Sequence, residues 1–356
     1  MDNDFLSDLV KKLGDEHTTI AAEGKSSAEF SGTIDTGSYI LNAALSGSLY
    51  GGVPNNKITA FAGEAATGKT FFVLGVMSQF LKTNPDGGVI YFDTESAVTN
   101  EMMQQRGIDT QRVVKSEPES IQRFRHTSLQ VLDNYLEQPV DERRPFLMVL
   151  DSLGQLSSSK ELEDTADGKE TRDMTKAQVL KATFRVLNLK LAKAGIPLIV
   201  TNHTYDVVGS YVPTKEMSGG SGLKYSASTI VMLSKSKERD GKDIVGNIIK
   251  ARMQKSRLSR ENKLVEVLLT YDKGLDRYYG LIELGESAGV FKKVANRIEL
   301  PDGRKIYAKH IYENPKEYFT KDVMEALESQ AQIVFQYGLG EVQDEIFEVD
   351  EVANGA

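Results

Sequence analysis

A chain of 356 residues, 40% hydrophobic and 26% charged, has the make-up of an ordinary globular protein and is long enough for one large core with satellites or for two domains. It has no cysteine, which excludes disulfides and thiolate zinc sites. Its four histidines, His17, His126, His203 and His310, are too scattered for a metal cluster, so any metal is expected to be an oxygen-ligated one such as magnesium. The net charge of -8 argues against a uniformly basic nucleic-acid binder, yet the charge is segregated: residues 235–263 carry ten Lys or Arg against four Asp or Glu, and residues 341–356 carry six acids and no base.

The segment DFLSDLVKKLGDE at 4–16 places Phe5, Leu6, Leu9, Val10 and Leu13 on one helical face. A polar stretch with little to bury follows, so the pair reads as a short helix on a tether that docks elsewhere than on its own core. The start MDNDFLSDLV lacks the layout of a secretory signal, and no window reaches the roughly 20 apolar residues of a membrane span. A soluble cytoplasmic protein is expected.

From Lys57 onward apolar runs alternate with longer helical patterns: ITAFA at 58–62, GVIYFD at 88–93, FLMVLD at 146–151 and PLIVT at 197–201. Continuous apolar strands separated by helices predict an α/β fold with a mostly parallel sheet covered on both faces. STIVMLSK at 228–235, GNIIKARMQK at 246–255 and KLVEVLLTY at 263–271 then follow in quick succession, with polar turns such as RDGKD between them. They predict antiparallel strands added to that sheet. After Tyr279–Gly280 a small C-terminal α/β unit is expected, with a turn at ENP (313–315), a helical pattern to about Gln336 and an acidic tail. The division is 1–32 for the helix and linker, 33–280 for the core, 281–340 for the small domain and 341–356 for the tail. No internal repeat is apparent.

Gly63-Glu64-Ala65-Ala66-Thr67-Gly68-Lys69-Thr70 fits GxxxxGK[ST] directly after a strand and directly before the helical pattern FFVLGVMSQFL. Glycines let the backbone curl so that its N–H groups converge on phosphate, Lys69 reaches the β and γ oxygens, and Thr70 ligates magnesium. FLMVLD delivers Asp151 to the sheet's C-terminal edge as the second metal-side acid. Glu95 follows GVIYFD two residues after Asp93 and comes to the same edge, where it can accept a proton from water attacking the γ-phosphate. PLIVT brings Asn202 and His203 there as well. They open NHTYDVVGSYVPTKEMSGGSG at 202–222, with four glycines, one proline and no periodicity that persists, and a stretch of that kind is usually functional or disordered. A polar side chain at its start can contact the γ-phosphate and pass its presence into the loop, although His203 serves equally well as a satisfied loop histidine.

The order of P-loop, Glu95, Asp151-Ser152, Asn202-His203, SGGSGLKYSAS and a basic KSR resembles the RecA recombinase family. With DSLGQL at 151–156, NHTYD at 202–206 and QKSR at 254–257, the chain is most similar to the UvsX-type recombinases of T-even-like phages. The similarity runs from about residue 33 to 285. It implies an ATP- and magnesium-dependent protein that polymerises as a helical filament on single-stranded DNA and exchanges strands with a homologous duplex. It makes Glu95 the catalytic glutamate and His203 the γ-phosphate sensor, places Lys255 and Arg257 across a subunit interface on the neighbour's ATP, and packs the first helix on the adjacent protomer. Nucleotide contacts are implied at Gly63 to Thr70, Thr99 and Met102, although Met102 stands where many relatives carry an adenine-stacking ring.

Two DNA-binding loops are implied at roughly 158–174 and 204–219. Arg172, Met174 and Lys176 belong to the first, and Val208, Tyr211, Lys215, Gly219 and Gly220 to the second. Tyr211 and Val208 suit wedges against bases, and the cations suit phosphates. A single-strand-binding protein and a loading mediator are the implied partners. A ring-shaped replicative helicase shares such a core but normally brings a helical N-terminal domain, which about 30 residues cannot supply. A nucleotide-locked scaffold would bind ATP without DNA-stimulated hydrolysis, and would not need both Glu95 and Asp151.

Overall fold

A computed structural model describes residues 4–14, 18, 20–22, 32–169, 173–206, 215–240, 243–270 and 274–338. The strands are β1 (Thr33–Ile34), β2 (Val53–Pro54), β3 (Ile58–Gly63), β4 (Gly88–Asp93), β5 (Val113–Ser116), β6 (Phe146–Asp151), β7 (Leu198–Asp206), β8 (Lys215–Met217), β9 (Thr229–Asp240), β10 (Asp243–Ser256), β11 (Leu264–Thr270), β12 (Gly274–Leu275), β13 (Lys292–Val294), β14 (Arg297–Glu299) and β15 (Lys305–Ile306). The α-helices are α1 (Asp4–Leu13), α2 (Tyr39–Ser46), α3 (Lys69–Thr83), α4 (Asn100–Gln104), α5 (Ile121–Glu137), α6 (Ser159–Ala166), α7 (Lys176–Ala194), α8 (Ser221–Ser226), α9 (Leu281–Ser287), α10 (Ala308–Glu313), α11 (Pro315–Tyr318) and α12 (Lys321–Phe335).

The main sheet has the order β12-β11-β10-β9-β3-β7-β6-β4-β5, with β8 paired on β7. Pairing from β9 through β3, β7, β6 and β4 to β5 is parallel, and β9 to β10 to β11 to β12 is antiparallel. The apolar runs are continuous because both faces are covered, and their side chains sort by parity. Phe61, Val89, Tyr91, Leu147, Val149 and Ile199 face one cluster with α2 and α3. Ala60, Ala62, Ile90, Phe92, Met148, Leu150 and Val200 face the other, with α5 and α7. In β11 burial alternates instead, as expected where the sheet turns antiparallel.

Two features go beyond the sequence expectation. β5 makes six strands of the parallel run, which also takes in β9, expected as antiparallel but paired parallel with β3; β5 is short and mostly exposed, with Val114 and Lys115 on a sheet edge. β7 does not stop at Thr201 but runs on to Asp206, because β8 returns beside it with Tyr205 opposite Glu216.

Residues 281–338 carry α9 to α12 and a three-stranded sheet, β13-β14-β15. Their apolar side chains join the cluster on α2: Leu327, Ala331 and Phe335 of α12 lie in it with Leu41 and Leu45. Leu327 is fully buried, so Leu327→Ala should lower unfolding stability by about 2–5 kcal/mol with little change in denaturant slope, as urea titration would measure. By contrast α1 turns Phe5, Leu6, Leu9 and Leu13 to solvent, with Phe5 75% exposed, which fits the sequence reading of a helix with no place on its own core.

Candidate functional site

β3 hands the chain to α3 through the glycine loop. Gly63 cannot be another residue, because a Cβ there would lie 2.7 Å from the Leu233 carbonyl oxygen and from Thr67 Oγ1. Ala66 and Gly68 take positive φ, 57° and 88°, and so curl the loop around the start of α3. Thr67 Oγ1 donates to the Glu64 carbonyl at 2.8 Å, and Lys235 Nζ donates to the Ala66 carbonyl at 2.6 Å. Lys69 is buried, and its Nζ donates to the carbonyls of Gly63 at 3.0 Å and Glu64 at 2.8 Å. Two of its three protons are thereby used, leaving one for a phosphate oxygen. Burial lowers its pKa, and the charges of Glu95 and Asp151 only partly offset that.

Register brings Asp93 and Asp151 level at the ends of β4 and β6, with Asp151 beside Thr201 of β7 and the Gly63–His203 pair two residues further along. Asp151 is buried, accepting from the Tyr91 hydroxyl at 2.8 Å and from Thr201 Oγ1. Burial and then the neighbouring Asp151 charge push the Tyr91 phenol far up, so it stays a donor. Asp151 and the partly buried Thr70, on the first turn of α3, both carry hard oxygen atoms. Among the described residues no group of three or more His, Cys, Asp or Glu could hold a metal alone. Few protein ligands, completed by phosphates, suit magnesium.

Glu95 Oε1 accepts from Ser152 Oγ at 2.6 Å and meets His203 Nε2 at 2.9 Å. Burial pushes its carboxyl up, but the hydrogen bonds from Ser152 and His203, with the His203 and Lys69 charges, outweigh burial and hold it below its ordinary value. Because the folded value lies below the unfolded one, the stability Glu95 contributes is present above the unfolded value and is lost as pH falls through the folded one.

The base of the second loop is built differently from expectation. Asn202 is fully buried and does not face the phosphate edge as an exposed sensor. Its Nδ2 donates to the Ser218 carbonyl at 2.8 Å, while its Oδ1 accepts from Ser218 Oγ at 2.6 Å and from the His203 amide at 2.9 Å. It clamps the loop's two ends, and His203 alone is left facing Glu95. Gly219 and Gly220 follow with φ of 84° and 74° and lead into α8. Lys215 pairs with Glu64 of the P-loop, so the cation assigned to DNA phosphate is held by the nucleotide loop.

The described residues of the first loop include α6, which starts at a capping box made by Ser158 and Glu161. Lys176 pairs with Glu161 at 3.0 Å, and Met174 is 80% exposed. Arg172, Val208 and Tyr211 lie outside the described residues. Thr99 caps α4 by accepting from the Met102 amide at 3.2 Å, and neither residue has a hydrogen bond to the P-loop among the described residues. Thr201 and Tyr91 were not singled out from the sequence, and Ser152 entered only within the Asp151-Ser152 pair, with no role given to it. Their only signal there was position, beside or opposite a strand-end carboxylate.

Lys255 and Arg257 sit at the opposite edge of the sheet. Lys255 is in register with Ile230, at the start of β9, whereas the P-loop leaves β3 opposite Leu233. Three residues of strand are about 10 Å. Burial, and then the Arg257 charge, lower the pKa of Lys57, which precedes β3, so the cations gather at the far end from their own Lys69. Lys255 Nζ donates to the carbonyls of Lys224 at 2.9 Å and Tyr225 at 3.1 Å.

The RecA N-terminal domain family model matches residues 3–276. The chain belongs to the RecA family. It is 30% identical over 294 residues to the recombination and repair protein of Enterobacteria phage T4, covering 82% of this chain and 73% of that one. It is 25% identical over 300 residues to protein RecA of Corynebacterium urealyticum, with the same coverage. It is also 26% identical over 274 residues to protein RecA of Deinococcus radiodurans, covering 76% of this chain and 71% of that one. RecA-family proteins are recombinases and DNA-dependent ATPases that bind ATP with magnesium and form filaments on DNA. The helicase alternative therefore falls. No helix among the described residues is long and apolar enough to cross a membrane.

Proposed function

We propose that this chain hydrolyses ATP with magnesium while assembled as a helical filament on single-stranded DNA, and that the filament pairs and exchanges strands with a homologous duplex. The observation that carries the coupling is the 2.9 Å contact of His203 Nε2 with Glu95 Oε1: the base of the DNA loop touches the carboxylate assigned to activate water. Gly63 to Thr70 would hold the triphosphate with Lys69, while Thr70 and Asp151 would hold magnesium, which would supply positive charge against the phosphates. Glu95 takes the proton of the attacking water. The chain is assigned to the cytoplasm, with a single-strand-binding protein and a loading mediator as further partners. The exposed apolar face of α1 suits docking on the next protomer. Strand exchange between a circular single strand and a linear duplex, measured with DNA-stimulated ATPase, tests the reading. ATP binding without either activity would leave the scaffold reading in its place.

The placement of Lys255 and Arg257 supports action on a neighbour's nucleotide. Lys255→Ala should leave ATP binding by isolated protomers within about threefold and lower DNA-stimulated hydrolysis by about 10²-fold or more, since a cation supplied in trans acts only on assembly. Mixing Lys255→Ala with a Lys69→Ala protomer is the decisive measurement. Partial recovery is expected wherever an intact ATP site meets an intact Lys255, and no recovery at any ratio would overturn the trans assignment.

A further inference from the structure

A water-activating carboxylate must be held within a few tenths of an ångström of its working position, yet Glu95 sits on a turn past the end of β4 and is only partly buried. His203 cannot be its permanent anchor if the same ring reports nucleotide to the DNA loop. Ser152 has the properties that His203 lacks. It is fully buried, and it is fastened to the Glu95 turn on both sides, with its amide donating to Thr94 Oγ1 at 2.9 Å and its carbonyl accepting from that hydroxyl at 2.8 Å. Its Oγ then reaches Glu95 Oε1 at 2.6 Å, the same oxygen that His203 touches. Glu95 Oε2 takes no hydrogen bond among the described residues.

We infer that Ser152 is the positioning residue for Glu95: its hydroxyl holds Oε1 whichever partner His203 takes, and so turns Oε2 toward the attacking water. This rests on Glu95 being the base. In the step it serves, the water oxygen bonds to the γ-phosphorus and a water proton passes to Oε2. The bond from the γ-phosphorus to the β–γ bridging oxygen breaks, its electron pair leaving with ADP. Ser152 stays protonated throughout. A hydroxyl lost from the charged form of a carboxylate also makes that form less favourable, which separates this role from simple packing.

The test is the pH dependence of kcat at saturating ATP and single-stranded DNA. Ser152→Ala should bind ATP within about twofold of wild type, lose about tenfold in kcat, the loss typical of a hydrogen bond to a charged group, and carry its acid limb to higher pH. Thr94→Val loosens the same turn but keeps the Ser152–Glu95 bond, so it should lower the rate without moving the limb. Should Ser152→Ala fail to fold, Ser152→Cys keeps the volume with a weaker donor, and should move rate and limb in the same directions by less. An acid limb that stays in place in the folded Ser152 variant overturns the inference, whatever the rate does. Glu95→Gln at wild-type turnover would instead remove the base assignment itself, so the two failures are distinguishable.

Discussion

Glu95→Gln should lower DNA-stimulated ATP turnover by about 10²–10⁴-fold, the range of a positioned general base, while ATP affinity stays within a few-fold of wild type. Gln keeps an oxygen that can accept from Ser152, so the turn between β4 and α4 should hold its shape. Lys69, Thr70 and Asp151 keep the phosphate and metal contacts assigned to them. What is lost is a carboxylate able to take a proton. Filaments on single-stranded DNA should persist longer in the variant, because the step that would release them has stopped. In the wild type, Ser152, His203 and Lys69 hold the Glu95 carboxyl below its ordinary value, so the acid limb of turnover should lie below the ordinary glutamate range. Steady-state hydrolysis across pH, with electron microscopy of filaments, measures both. Turnover by Glu95→Gln at the wild-type rate would take Glu95 out of the chemistry.

Much of this was legible because buried parallel strands are continuous apolar runs: β4 and β6 begin and end where GVIYFD and FLMVLD do, and Asp151 ends its strand as expected. β5 was hidden by the same physics, since an edge strand carries charge and exposes its side chains, and VVKS has no apolar run to find. The extension of β7 to Asp206 depends on β8, a partner nine residues further on, which local periodicity cannot report. Asn202 and His203 look alike as polar residues after an apolar run, yet strand alternation buries one and turns the other to Glu95. Lys176 and Lys215 read as free cations for DNA until the fold supplies Glu161 and Glu64. Exposed pairs of this kind are weak and screened by salt, so a DNA phosphate can displace either carboxylate.

His203→Ala should separate ATP binding from tight DNA binding. The P-loop contacts of Lys69 do not involve His203, so ATP affinity should stay within about threefold. The loop base should also survive, because the Ser218 amide bonds the main-chain carbonyl of residue 203, and Asn202 clamps Ser218 independently of the ring. The ring's reach to Glu95 is what disappears. An effector shifts an equilibrium only by its differential contacts with the two states, and with that contact gone nucleotide has no remaining polar link through residue 203 to the loop beyond it. The gain in single-strand affinity on adding a slowly hydrolysed ATP analogue should therefore fall close to onefold, while affinity without nucleotide stays near wild type. Glu95 also loses its second donor, so any residual turnover should show an acid limb moved upward, in the same direction as for Ser152→Ala. Titrating fluorescent single-stranded DNA with and without the analogue, at several salt concentrations, reads the effect apart from phosphate contacts, which set the salt slope. An ATP-dependent gain equal to wild type would sink the assignment of His203 as the link between nucleotide and DNA.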